Sequence, residues 1–413
     1  MPVGRGRAHP SSAGQALQWV EGRPLKVIIL LHYDLHHEPR ARRQVAALRA
    51  EGHEVVVVGA TGSSSAMPDV DVVDVRPQPL HDLGRWTIAV RQGVFGRLSP
   101  LGAYWADPAN HRFLRAVRAH PADLVIAHDW STLPIALRAS GEAGTPVLYD
   151  THEYALEQGA GRWRWRWVFP HIIKAVEGRA IHRVAEVMTV SEGIADQLVA
   201  DHGLVTRPLV VRNTPSWEAH PVRPTGERIE VLYHGLLNAS RGLEALVDSV
   251  AMWQHDRDLV LRGPGAPRYV DGLRRRAEAA APGRVRIEPP VAPDDIISAS
   301  LSSDVGIFVG DPAHGQLRFA LPNKLFEYAM AGLAVVTTPL PEVERINATH
   351  DLAVVTRGVG PAHIADAING LSRSALDARK GASLAAARDL CWDREQQRFL
   401  AAVSRAVGGG ERA

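Results

Sequence analysis

Three residues in one short run have the types and spacing for phosphate and ribose chemistry. Asn323, Lys324 and Glu327 lie in LPNKLFEYAMAGLAVVTT, residues 321–338. Pro322 suits a first helical turn, where its missing N–H costs nothing. A helix is therefore predicted over 324–330, ended at Gly332, where glycine supplies a left-handed turn. Residues 333–338 are apolar and β-branched, as in a strand buried on both faces. A helix start presents free N–H groups and partial positive charge, so it can seat a phosphate, and Lys324 adds a full charge. Glu327 is one turn on from Asn323, where a carboxylate can accept hydrogen bonds from the two hydroxyls of a ribose. Together they describe a nucleotide-diphosphate site. On an ordinary surface helix the same side chains would simply be solvated.

The elements around this run must place it at a cleft. Residues 25–31, 54–59, 71–75, 123–127, 146–149, 186–190 and 209–212 read as strands. Helical spacing intervenes at 38–51, 110–120, 131–143, 168–184 and 191–201, with serine caps at Ser131 and Ser191. A further helix is expected near 87–95. Residues 213–228 carry three prolines and no periodicity, as an interdomain linker would. The alternation then resumes, with strands at 229–233, 258–261, 285–288, 305–309, 333–338 and 353–356. The expectation is an α/β protein of two Rossmann-like, doubly wound domains. Its divisions are a disordered tail over 1–23, domains over 24–212 and 229–391, and a last helix over 392–413. That helix has a Trp392, Phe399, Leu400, Val403 stripe that could dock on the first domain.

Composition narrows the partners. A length of 413 residues suits two domains, and the formal net charge of +2 gives no bulk attraction to nucleic acid. One cysteine, Cys391, excludes an intramolecular disulfide and a cysteine-rich metal site, and fits a cytoplasmic setting. No apolar run reaches membrane-spanning length, and the opening MPVGRGRAHPSSAGQ lacks the apolar segment of a secretory signal.

Two such halves, with the nucleotide signal in the second, resemble the GT-B glycosyltransferases, and within them the retaining glycosyltransferase family 4. The resemblance covers most of the chain after the tail. It is carried by YHGLLNASRGLE (233–244), LRGPG (261–265), LPNKLFEYAMAGLAVV, DTHEY (150–154), TVSEGIADQL (189–198) and VVRNTP (210–215). It implies transfer of a sugar from a nucleotide-diphosphate sugar, as co-substrate, to a glycan or lipid-linked acceptor, with no other cofactor and no metal. Gly235 and Gly263 would let backbone approach the diphosphate, and Arg241 would neutralise it beside Asn323, Lys324 and Glu327. There are departures. Leu236 stands where the family often has an arginine. Phe319 stands where it often has a second acid, eight positions before Glu327, although the PNKLFEY branch generally lacks that acid.

On the acceptor side, His128 directly follows a strand and is expected to face the cleft; the resemblance places a histidine near the transferred sugar there. Glu153 is the candidate acceptor-side base. Arg40 and Arg43, with Arg42, sit in the first turns of a helix, where cations oppose the helix dipole unless an anion such as an acceptor phosphate binds. Trp163, Trp165 and Trp167 alternate with arginines over 162–167. An extended segment would put the rings on one face, suited to peripheral contact with the inner face of a membrane in polysaccharide or glycolipid synthesis. Core tryptophans with solvated arginines are the plainer reading. Two rivals share the fold: a nucleotide-sugar epimerase, and a sugar-nucleotide-binding partner that has lost turnover.

Overall fold

The chain was analysed as a computed structural model that describes residues 23–59, 67, 69–75, 98–157, 163–313 and 315–409, without the side chains of 142 and 163–168. The expected tail and the helix expected near 87–95 lie outside these residues, apart from Arg23.

Two parallel sheets form the frame. The first has seven strands: β1 (Lys26–Leu30), β2 (Glu54–Gly59), β3 (Asp71–Asp74), β4 (Leu124–His128), β5 (Val147–Thr151), β6 (Glu186–Thr189) and β7 (Leu209–Val210), in the order 3-2-1-4-5-6-7. The second has six: β8 (Ile229–His234), β9 (Arg257–Arg262), β10 (Val285–Glu288), β11 (Val305–Phe308), β12 (Ala334–Thr337) and β13 (Ala353–Val355), in the order 10-9-8-11-12-13. In each sheet the order reverses beside its first strand, where Val27 pairs with Leu124 and Val231 with Val305. That reversal opens a crevice at the carboxyl ends of the strands, where ligands of such sheets bind. The central strands are buried on both faces, which is why they read as unbroken apolar runs and not as alternation.

Some boundaries differ from expectation. The helix after β4 is Asp129–Ala143, so its cap position is His128 and not Ser131. Ser191 does cap Glu192–His202, accepting from the Ile194 N–H at 3.4 Å. Trp163–Ala180 is a helix, so the extended segment considered for 162–167 does not form over 163–167. Residues 211–228 contain no helix or strand, and the following helices cover the second sheet.

The chain returns to the first lobe at its end. The Trp392–Gly408 helix packs Trp392, Phe399, Leu400 and Val403 into the core beneath β1, β2 and β4. Its start runs beside the linker: the Trp392 N–H donates to the Pro215 carbonyl at 2.7 Å, and Asp393 accepts from the Trp217 N–H at 2.8 Å. Arg212 and Glu395 add an ion pair at 2.9 Å. No described helix is long and apolar enough to cross a membrane.

Candidate active site

The rear-lobe half is built from two loops and one helix. β8 runs into Gly235 at φ +121°, and β9 runs into Gly263 at φ +150°. The two loops lie back to back: a Cβ on Gly263 would overlap the Gly235 carbonyl, and a Cβ on Gly235 would lie 2.7 Å from Lys324 Nζ. Glycine is needed at both for space as well as for conformation. The helix Asn323–Met330 opens beside them and ends at Gly332, φ +67°.

Lys324 is held over the rings of Tyr233 and Phe308, 5.6 Å from each centroid. Burial, then the charge of Arg241, brings its amine down to about 8 against the pull of Glu327. Neither Lys324 nor Arg241 makes an ion pair with a carboxylate among the described residues, and Arg241 Nε is buried without a hydrogen-bond partner. Both line a cavity of about 520 Å³ between the lobes, together with Asn323. Two adjacent cations turned to one cavity repel each other, and an anion relieves that cost.

Glu327 is not in the packed core. Its side chain is 20% exposed, and Oε2 lies 2.7 Å from His234 Nε2. Burial works to raise its carboxyl, but His234, Lys324 and Arg43 together hold it below the usual range. Glu327 is not part of the cavity wall, which on this helix stops at Lys324.

The front-lobe half is an ionic network. Arg40 is buried, 1% exposed, and grips Asp150 with two hydrogen bonds of 2.8 Å while also donating to the Val211 carbonyl at 2.6 Å. Burial works to raise Asp150, but Arg40 and then His152 hold it well below the usual carboxylate range. The expectation that Arg40 waits for an acceptor phosphate is therefore corrected: its anion is Asp150, from β5. Arg43 bonds to Asn213, sits 5.9 Å over the Trp392 ring, and does not line the cavity.

His128 is also corrected. It is 1% exposed and does not line the cavity, because the chain turns directly into the following helix. Burial and the neighbouring His152 charge push it well below the usual histidine range, so it is neutral. His152 is the residue at the surface of the cavity. Burial works against its charge, yet Asp129, Asp150 and Glu38 hold it up at about 9. Its Nε2–H thus donates to His128 Nδ1 at 2.7 Å. The ligand atoms of His128, Asp150 and His152 fall within 4.8 Å of one another, but Arg40 takes both Asp150 oxygens, so the group is a charge network closed by a guanidinium. His152 stood unselected inside DTHEY, since its role depends on Arg40, distant in sequence. His234 stood likewise inside YHGLL.

The lobes touch through the segment before the Asn323–Met330 helix. Phe319 packs against Tyr154, with ring centroids 4.9 Å apart, and its carbonyl accepts from Ser191 Oγ at 2.9 Å. Gln316 Nε2 donates to Glu153 Oε2 at 2.9 Å. The residue that replaces an acid is thus an apolar inter-lobe contact, and Glu153 lines the cavity with one oxygen engaged.

Comparison with known proteins agrees with this architecture. Residues 37–214 match the glycosyl transferase 4-like domain and residues 228–374 the glycosyl transferases group 1 domain. No curated protein sequence matches the chain. Among solved structures, Anabaena HepE in complex with UDP and glucose superposes with a TM-score of 0.69 at 15% identity, over 92% of this chain and 99% of that one. Sucrose-phosphate synthase from Thermosynechococcus elongatus gives 0.70 at 13% identity, over 93% and 100%. The α,α-trehalose 6-phosphate synthase of Burkholderia multivorans gives 0.65 at 15%, over 94% and 100%. With both domain matches in tandem on this two-sheet frame, the chain belongs to the family 4-like glycosyltransferases of GT-B fold.

Proposed function

We propose that this glycosyltransferase takes its sugar from a nucleotide-diphosphate donor held by the rear lobe, with retention and without a metal. The acceptor is a glycan or a lipid-linked glycan on the front lobe. The observation that carries the donor reading is the pair of cations, Lys324 and Arg241, turned to one cavity with no carboxylate paired to either. In the transition state the departing diphosphate gains charge. Fixed cations and the N–H groups of the Asn323–Met330 helix stabilise it there more than in the ground state. This supplies what a divalent ion would otherwise supply at the phosphates. Glu327, 20% exposed one turn behind the cavity wall, supports a ribose contact only at its rim. The structures of Anabaena HepE with UDP and with UDP-glucose support a uridine donor as the first to try.

Titration calorimetry of the purified chain with UDP, GDP and ADP tests the reading. At least one should bind, in EDTA as well as in magnesium. Lys324→Ala should weaken that binding by about tenfold or more, the usual worth of a charge-assisted hydrogen bond. Absence of binding by all three, or an unchanged affinity in the variant, would overturn the donor site. Retention is checked by the anomeric configuration of the first product identified by NMR.

A further inference from the structure

The front-lobe wall of the cavity carries groups that the donor does not use. Glu38, Asp129, His152 and Glu153 line it. The arginine of this wall, Arg40, is already engaged by Asp150, and Arg43 behind it by Asn213. Three carboxylates and one imidazolium therefore face the bound ligand, opposite the two cations of the rear lobe.

Asp129 stands out among them. It is only 6% exposed yet forms part of the cavity wall. Its Oδ1 accepts from the His152 N–H at 3.2 Å, and its Oδ2 has no partner among the described residues. Its backbone is left-handed, φ +62°, one of two such non-glycine residues described. That conformation costs about 1–3 kcal/mol and persists only where the surroundings impose it. An oxygen that opens on the cavity and takes no protein donor can accept from a ligand hydroxyl there. Beside it, His152 Nδ1 lies 3.8 Å from Glu38 Oε1, so the imidazolium is shared with Glu38 and leaves little positive potential for a second phosphate.

We propose that Asp129 is the hydroxyl-reading residue of the acceptor subsite, its Oδ2 accepting a hydrogen bond from a neutral, sugar-like acceptor, while Glu38 and Glu153 beside it exclude an acceptor that presents phosphate to this wall. The proposal rests on the donor reading above, since it assigns the opposite wall of the same cavity. It reverses the anionic acceptor expected from the arginine cluster.

The test is saturation-transfer NMR on the full chain, saturated with whichever of UDP, GDP and ADP binds most tightly. The probes are the methyl α-glycosides of glucose, galactose and mannose, and glucose 6-phosphate. At least one neutral glycoside should bind, and glucose 6-phosphate should bind more weakly. Asp129→Asn should weaken the glycoside by about tenfold, with nucleotide affinity within about twofold of the parent. Asparagine tolerates the left-handed backbone, so the variant should keep its fold. Glu38→Gln, which removes charge and not the Asp129 contact, should raise glucose 6-phosphate binding severalfold. No glycoside binding to the nucleotide complex, preferential binding of glucose 6-phosphate, or an unchanged glycoside affinity in Asp129→Asn would each overturn the proposal. Loss of nucleotide binding in the parent chain would instead reject the donor site, and this subsite with it.

Discussion

The two lobes treat their charges in opposite ways. On the front lobe, Arg40, Asp150, His152 and His128 are joined by hydrogen bonds of 2.7–2.8 Å or by close ionic contact, and almost all are buried. On the rear lobe, Lys324 and Arg241 are left beside each other with aromatic rings and glycine backbone as neighbours. A satisfied network fixes shape, and an unsatisfied pair waits for a ligand. The same residue type, arginine, is locked in an ion pair in one lobe and left without a carboxylate at the cavity in the other. Exposure and pairing separate the two roles; the residue type does not.

Substituting the two arginines alike breaks the comparison most directly. Arg40→Ala strands the Asp150 carboxylate in the interior and should cost about 3–5 kcal/mol in denaturant unfolding. Arg241→Ala leaves no charge stranded. It should leave stability within about 0.5 kcal/mol and weaken nucleotide binding by about tenfold. Equal loss of stability in the two variants would end the distinction.

The pH dependence is the next largest contrast. Nucleotide affinity should fall as pH rises through about 8, where free Lys324 loses its proton. Removing Arg241 takes away a charge that lowers Lys324, so in Arg241→Ala the fall should move to higher pH. Calorimetry across pH 6.5 to 9.5 reads both. The front lobe shows its protons in stability instead. His152, raised from 6.5 to about 9, binds its proton more tightly in the folded state, so its contribution is complete below 6.5 and is lost as pH rises through about 9. Asp129, raised by burial to about 6 despite His152, has the same sign: its contribution is lost between about 4 and 6. Unfolding midpoints should fall across both windows, and His152→Gln should remove the upper one.

The smallest effect is expected where the lobes meet at the surface. Arg345 and Asp196 are each half-exposed at 3.2 Å, and Arg345→Ala should change stability by less than about 1 kcal/mol. A larger loss would mean that the closed arrangement depends on that pair.

Much of this was legible in the sequence, for a physical reason. Buried parallel strands are unbroken apolar runs, and the Asn323–Met330 helix carries its own start and stop signals, Pro322 and Gly332. These are local, so the elements of the rear-lobe wall could be read from the chain. The front-lobe half could not. Arg40 looked like one of three cations placed for an acceptor anion, because its partner lies 110 residues away on β5. His128 looked accessible because it ends a strand, but the helix that begins at Asp129 covers it. Phe319 read only as a branch variant at a position often acidic, and its packing on Tyr154 appears only when two lobes are brought together.

The bond between Trp392 and Pro215 has one more consequence. The chain passes between lobes twice, and both passages run along the same edge, tied by that bond and by Asp393 to Trp217. Two crossings tied on one edge give any relative motion of the lobes a common pivot, apart from the Phe319–Tyr154 contact.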